Sequence, residues 1–270
     1  MCKPQTQGGY RCPDHDRLRK LTSDDLVARG DGTTPRISWQ QDDLRSFWVK
    51  DAEYRTDQCA AVLKLESIKA FEPLVTAEIR QIAAQVDGEC VNLHERLRSP
   101  RSVAQEISDT RNEAAKHGIK ISSAEVAEQI KDIVRFFIVR NDHAGVKEAA
   151  DGIVAELQTK GWEVKEISHS YVQNSPDKHL KIVGKTPSNI RVDIQVMSAL
   201  SFQAGQAVSD LDEVYKSRSV AIEDRKVARE IRVEHFQQIP PPQGLENIGA
   251  IGRKDIGKVP VRALHGVRIS

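Results

Sequence analysis

The hydrophobic period of this chain changes at Asp132, and that change limits the folds open to it. Upstream, apolar residues recur at helical spacing. Ile79, Ile82, Ala83, Val86, Val91 and Leu97 line one face of a helix predicted from Thr76 to Arg98, weakened at Gly88. Ser102 is predicted to cap a further helix carrying Val103 and Ile107, and Ser122-Ser123-Ala124-Glu125 has the spacing of a capping box. From Asp132 to Val139 the run is short, β-branched and aromatic, and reads as a buried strand.

Beyond Val139, helical and strand patterns alternate. Asn141 or Asp142 is expected to cap a helix bearing Val146, Ala149, Ala150, Ile153, Val154 and Leu157, ended by Gly161 in a left-handed conformation. Strands are predicted for Trp162 to Ile167, His179 to Val183 and Ile190 to Met197, with helices from Ser201 to Ser217 and from Ile222 to Phe236. In the strand at 190–197, Ile190, Val192, Ile194 and Val196 share one face, and Arg191, Asp193 and Gln195 the other. The fold class is therefore α+β, a small mixed β-sheet flanked by helices.

The ends read differently. Residues 1–40 are polar and rich in turn formers, which predicts a loosely ordered arm, and residues 41–92 a helical extension. Residues 237–270 form a Gly/Pro-rich tail, and from Arg225 to Ser270 nine basic residues face four acidic ones. Such a tail suits phosphates or an acidic partner, or is simply solvated. Overall, 40 Lys+Arg balance 39 Asp+Glu, so no whole-protein field steers it to nucleic acid. No run approaches the roughly 18 apolar residues of a membrane span, and the first residues lack a signal peptide's apolar stretch. A cytoplasmic globular protein is the expectation. Cys2, Cys12, Cys59 and Cys90 are too sparse for a disulfide framework. Cys2, Cys12 and His15 fall short of a zinc finger's four ligands and read as reduced thiols beside a histidine.

Two features carry chemistry. Arg96, Arg98 and Arg101 place three guanidinium groups in six positions at the entry to a helix. Forked, permanently charged donors beside a helix N-terminus suit a polyphosphate, although arginines at such junctions are usually solvated surface. Asp132 opens one strand and Asp193 lies within another. If the two strands are close, the carboxylates converge on one edge, and hard oxygen ligands suit Mg²⁺. Alone, Asp193 also fits the solvent face of an antiparallel strand.

The order and spacing of these segments resemble the RelA/SpoT-type synthetase domain, the family of (p)ppGpp synthetases and related toxins. The resemblance runs from about Leu93 to Arg218, and residues 93–236 are assigned to that domain. Arg96-Leu97-Arg98-Ser99-Pro100-Arg101-Ser102-Val103 is similar to the family's R-[IL]-K-S-x-x-S-[LIV], with Arg98 replacing the lysine. Ile130 to Phe136 resembles the segment bearing its Mg²⁺-binding aspartate, and Gly161-Trp162-Glu163-Val164 the end of its L-x-x-x-G-[YW]-E-V. Val192-Asp193-Ile194-Gln195-Val196 is similar to [VF]-E-[IV]-Q-[FI], with Asp193 one methylene shorter than the metal-binding glutamate. Ser198, Ser201-Phe202 and Tyr215-Lys216-Ser217-Arg218 resemble the family's next segments, H-T-x-x-S-[FY] and Y-[EK]-x-x-R.

The chain departs from the family at two further places. Ser175-Pro176-Asp177-Lys178 stands where members that bind guanine nucleotides carry Tyr-[RK]-Gly, and Glu106 stands where they carry a lysine. The hydrolase half of the long members is not expected in the roughly 90 residues before Leu93, since a lone His15-Asp16 does not supply its dispersed His and His-Asp metal ligands.

The resemblance implies a nucleotidyltransferase-like synthetase fold and a pyrophosphokinase that moves the β,γ-diphosphate of ATP to a hydroxyl of a nucleotide or of an RNA 3′ end, with a nucleotide or tRNA as partner. It implies Mg²⁺ held by Asp132 and Asp193, with Arg135 assisting. Arg96, Arg98, Arg101, Ser102 and Lys131 are implied to bind ATP, and Tyr171 or Tyr215 to stack on a base. A growth-inhibiting toxin, neutralised by an antitoxin or immunity protein, is among the roles it implies. The alternative is a non-catalytic nucleotide- or RNA-binding module on the same fold. A third reading is an interaction protein whose arms dock a partner.

Overall fold

The computed structural model describes residues 12, 14–28, 32, 34–49, 51–216 and 220–245. In chain order its elements are α1 (His15–Leu18), α2 (Ala52–Lys69), α3 (Glu72–Gln85), β1 (Gly88–Val91), α4 (Pro100–Lys116), α5 (Ser123–Gln129), β2 (Val134–Arg140), α6 (Val146–Thr159), β3 (Glu163–His169), β4 (Leu180–Lys185), β5 (Arg191–Ser198), α7 (Ala199–Ala207), α8 (Leu211–Lys216) and α9 (Ile222–Gln237). The α+β class holds: one five-stranded mixed sheet has the order β1-β2-β5-β4-β3. Among the described residues no helix is long and apolar enough to cross a membrane.

The chain divides into two compact units. The first comprises residues 1–79, 92–136 and 190–193, the second residues 80–91, 137–189 and 194–270.

In the first unit α2 packs on α4 and α5. The small residues Cys59, Ala60 and Ala61 of α2 are buried with Val62, Leu65 and Ile68. Helix α4 buries Pro100, Val103, Ala104 and Ile107, an i, i+3, i+4, i+7 stripe. Burying Val103 or Ile107 is worth about 1.5–3 kcal/mol each. The capping box of α5 forms as its sequence requires: Ser122 Oγ accepts from the Glu125 amide at 3.2 Å, and Glu125 accepts from the Ser122 amide at 2.8 Å.

The described part of the expected loose arm is folded. Leu18, Leu26, Ile37 and Trp39 are buried, and Trp39 Nε1 donates to the Leu97 carbonyl at 2.7 Å. Its turn formers close short 3-10 turns at Ser23–Leu26 and Ser38–Gln41, and α1 and the first turn pack on α2. A few well-spaced apolar residues on a neighbouring helix outweigh a polar composition. Among the described residues no three His, Cys, Asp or Glu cluster as metal ligands. Cys12 is buried, His15 sets its ring edge-on to Trp48, and Cys2 lies outside the described residues.

In the second unit α6 lies on β3 and β4, burying the six apolar residues its period predicts. Gly161 follows it at φ +79°, as expected. The antiparallel β3–β4 pair runs from Glu163 opposite Lys185 to His169 opposite Leu180, with a bulge at Val164/Glu166. Helix α9 packs on α7 and α8.

Two predicted helices are corrected. The helix expected from Thr76 to Arg98 ends at Gln85, because Asp87 and Asn92 both take φ of 51° and bracket strand β1. Gly88 lies opposite Arg140 and Val91 opposite Phe137 in an antiparallel register. Gly88 is therefore the entry to an edge strand, where a Cβ would lie 2.7 Å from Ile138 Cγ2. The helix expected from Ser201 to Ser217 breaks at Val208, with φ −123°. Residues 217–219 and 246–270, the bulk of the basic tail included, lie outside the described residues.

Candidate functional site

The arginine-rich turn is stitched to the start of β2 by its backbone. The Arg98 amide donates to the Ile133 carbonyl at 3.0 Å and the Arg135 amide to the Arg96 carbonyl at 2.9 Å, with Leu97 bridging Val134 antiparallel. Leu97 and Val134 are buried, so apolar burial and two ladder bonds fix the register. That register carries Arg98 to Asp132, which lies two residues before β2.

Helix α4 begins one residue after Ser99. Ser99, not Ser102, is its N-cap: the Ser99 hydroxyl accepts from the Ser102 amide at 3.1 Å, and Pro100 occupies the first helical position. The Ser102 side chain is thereby released to face Arg98. Arg98 Nη2 donates to Ser102 Oγ at 2.8 Å and to the Ser102 carbonyl at 3.2 Å. Arg98 Nη1 donates to Asp132 Oδ1 at 2.8 Å and also to Glu106. The Arg98 side chain is 12% exposed, against 40% for Glu106 and 35% for Asp132. Burial opposes its charge, and Asp132 and Glu106 more than offset that, so its pKa lies above the ordinary arginine value.

Arg96 has a different fate. It is 5% exposed, and its Nε donates to Glu72 at 2.6 Å while its Nη1 donates to the Pro35 and Leu93 carbonyls, each at 2.7 Å. Its donors are spent inside the protein, so the expected ATP clamp is an internal tie. Arg101 and Lys131 are exposed, and Arg135 is half-buried with Nε donating to the Glu95 carbonyl at 3.3 Å. Asp193 lies in β5, next to β2 in the sheet, and is 1% exposed. Its strand face is thus interior, not the solvent face its alternation also allowed.

Tyr171 and Tyr215 belong to the second unit. The Tyr171 ring is 6% exposed, which leaves no face for a base to stack on. Burial pushes its pKa up, and its hydroxyl lies 3.3 Å from Ser201 Oγ. Tyr215 is half-buried with the Arg232 guanidinium 5.9 Å from its ring centre.

The second unit also holds a polar chain that the sequence did not mark, because His143 carries no motif. His143 Nε2 lies 2.9 Å from the Pro240 carbonyl, which can only accept, so Nε2 carries the proton. Nδ1 lies 2.9 Å from Ser198 Oγ, and the Ser198 hydroxyl donates to Ser201 Oγ at 3.2 Å. Ser198 is fully buried and caps α7, so this chain ties the residues after α9 to the end of β5.

No protein-family model and no curated protein matches this sequence. Among solved structures it is similar to the type VI effector Tas1, crystallised in complex with its immunity protein. There the identity is 13%, the TM-score 0.37, and 68% of this chain and 94% of that chain are covered. It is also similar to small alarmone synthetase 1 from Bacillus subtilis bound to its product pppGpp. There the identity is 14%, the TM-score 0.36, and 68% of this chain and 88% of that chain are covered.

In this chain the first unit groups Arg98, Ser102, Glu106 and Asp132 directly, with Asp193 on the adjoining strand. Asp132 and Asp193 are hard oxygen donors. Such a pair fits Mg²⁺, which takes one or two carboxylates and leaves its other positions to water and phosphate.

Proposed function

We propose that this chain is a Mg²⁺-dependent pyrophosphokinase with ATP as diphosphate donor. The observation that carries this reading is the pairing of Arg98 with Asp132 at the N-terminal end of α4, beside a strand that holds Asp193 in the interior.

In this reading a hydroxyl oxygen of the acceptor attacks the β-phosphorus of ATP. The bond from that phosphorus to the α,β-bridging oxygen breaks, AMP departs with the electron pair, and the hydroxyl proton is released. Mg²⁺ held by Asp132 and Asp193 would neutralise charge on the phosphate oxygens. Arg98 and Arg101 would bind the triphosphate at the start of α4, where amides and the helix dipole favour anions. Lys131 and Arg135, flanking Asp132 in sequence, would add positive charge. The acceptor is a nucleotide or a tRNA 3′ end. An enzyme that spends ATP on such a target in the cytoplasm would restrain growth, so we assign it a toxin role checked by a neutralising protein.

The second reading, a non-catalytic nucleotide- or RNA-binding module, is favoured by the buried Tyr171 ring and by the Glu106 carboxylate on Arg98. One assay separates the two. The protein is given Mg²⁺, γ-labelled ATP and GDP, GTP, AMP, ADP, adenosine or bulk tRNA. A labelled product that disappears in Asp193→Asn supports the pyrophosphokinase and names its acceptor. ATP binding with no product from any acceptor supports the binding module.

A further inference from the structure

Glu106 lies one turn beyond Ser102 on α4, so both side chains stand on the helix face that receives Arg98. All three guanidinium nitrogens of Arg98 are engaged: Nε and Nη2 with Ser102, Nη1 with Asp132 and Glu106. An incoming phosphate therefore finds no idle donor on this arginine. The partners are unequal. Ser102 also offers its backbone carbonyl, and Asp132 sits on the segment stitched to the turn. Glu106 comes from a long, flexible side chain that is 40% exposed, whereas Arg98 is 12% exposed. Glu106 is the partner that can swing into water while Arg98 keeps its place.

We propose that Glu106 is a positioning residue that occupies the phosphate place on Arg98 in the ligand-free protein, so that a triphosphate engages Arg98 by displacing the Glu106 carboxylate. The proposal rests on the ATP-binding reading above. A carboxylate and a phosphate oxygen compete for the same forked donor. The Glu106 charge also repels the incoming anion until it moves away. Glu106 thereby lowers affinity for ATP and keeps Arg98 aligned, so that binding is an exchange of anions and not the capture of a loose side chain.

The test compares wild type with Glu106→Gln, which keeps the side-chain shape and removes the charge. ATP affinity is measured by calorimetry without Mg²⁺, and the rate of phenylglyoxal modification at Arg98 is followed by peptide mass spectrometry without ATP. Glu106→Gln should bind ATP about tenfold more tightly, and its Arg98 should be modified faster. In an Arg98→Gln background the same change at Glu106 should leave ATP affinity within about twofold. Tighter binding is what a merely structural role would not give, since loss of a structural partner weakens the site. Equal modification rates in the two proteins overturn the docking of Arg98 by Glu106, whatever ATP does. Unchanged or weaker ATP binding in Glu106→Gln, with wild type binding, overturns the exchange and leaves the ATP reading standing. No ATP binding in either protein, with the modification rates still different, overturns the ATP reading and with it the exchange, while the docking survives.

Discussion

Arg96 Nε lies 2.6 Å from Glu72 Oε1, and the two side chains are 6% and 2% exposed. Thr76 Oγ1 donates to the same oxygen at 2.5 Å, and two carbonyls take the remaining contacts of the guanidinium. This pair joins the start of α3 to the arginine-rich turn. Its loss would leave a charge buried without its counterpart.

Glu72→Ala should therefore destabilise the protein by about 3–5 kcal/mol. The urea midpoint is the measurement, with the slope of the transition checked for constancy. A loss below about 1 kcal/mol would mean that the pair is solvated and that Arg96 is available to a ligand.

Glu125 gives a pH dependence of known sign. The Ser122 amide, and then the Ser122 hydroxyl, donate to its carboxylate and hold its pKa below the ordinary 4.5. A depressed carboxylate stabilises the fold above the unfolded-state pKa, and that stability is lost as pH falls through the folded value. Wild type should thus exceed Glu125→Gln in stability at pH 7, and the two should converge on acidification below pH 4.5. Denaturation midpoints across that range check it. A gap that is constant with pH would place the effect in side-chain packing.

The edge strand β1 makes a steric prediction. A Cβ on Gly88 would meet Ile138 Cγ2 at 2.7 Å and the Ala83 carbonyl at 3.3 Å. Ile138 is fully buried and cannot step aside. Gly88→Ala should cost about 1–3 kcal/mol, read from chemical denaturation. A neutral result would show that β1 can lift away from β2 without penalty.

The same glycine shows where the sequence was legible. From Asp132 to Met197 the elements follow the period of the apolar residues, because α6, β3, β4 and β5 each bury the face that the pattern marks. Before it, Val86 and Val91 continue a helical spacing that the backbone does not follow. The left-handed Asp87 and Asn92, and pairing with the distant β2, decide that stretch. The site divides in the same way. Asp132, Arg98 and Ser102 meet as their segments suggested, through backbone ladder bonds. Arg96 and Tyr171 were indistinguishable in sequence from ligand-facing residues, since only Glu72 and Ser201, far along the chain, reveal that they point inward.

Cys90 should be chemically silent. Burial pushes its thiol pKa up to about 12, so at pH 8 only about one thiol in ten thousand is thiolate. Iodoacetamide at pH 8, followed by peptide mass spectrometry, should leave Cys90 unmodified in the folded protein and modify it in guanidinium. Rapid labelling of the native protein would mean that β1 opens often.

Asp193→Asn separates a metal ligand from a structural acid. Asparagine keeps the volume of this 1%-exposed side chain and removes its charge. If the carboxylate serves a cation more than the fold, the variant should melt close to the wild-type temperature. Wild type should then gain melting temperature when ATP and Mg²⁺ are added together, and Asp193→Asn should lose most of that gain, because stabilisation by a ligand follows its affinity for the native state. A variant that melts well below wild type before any ligand is added would mark Asp193 as a structural partner within its own unit. The proposed diphosphate transfer would then have to rest on Asp132 alone.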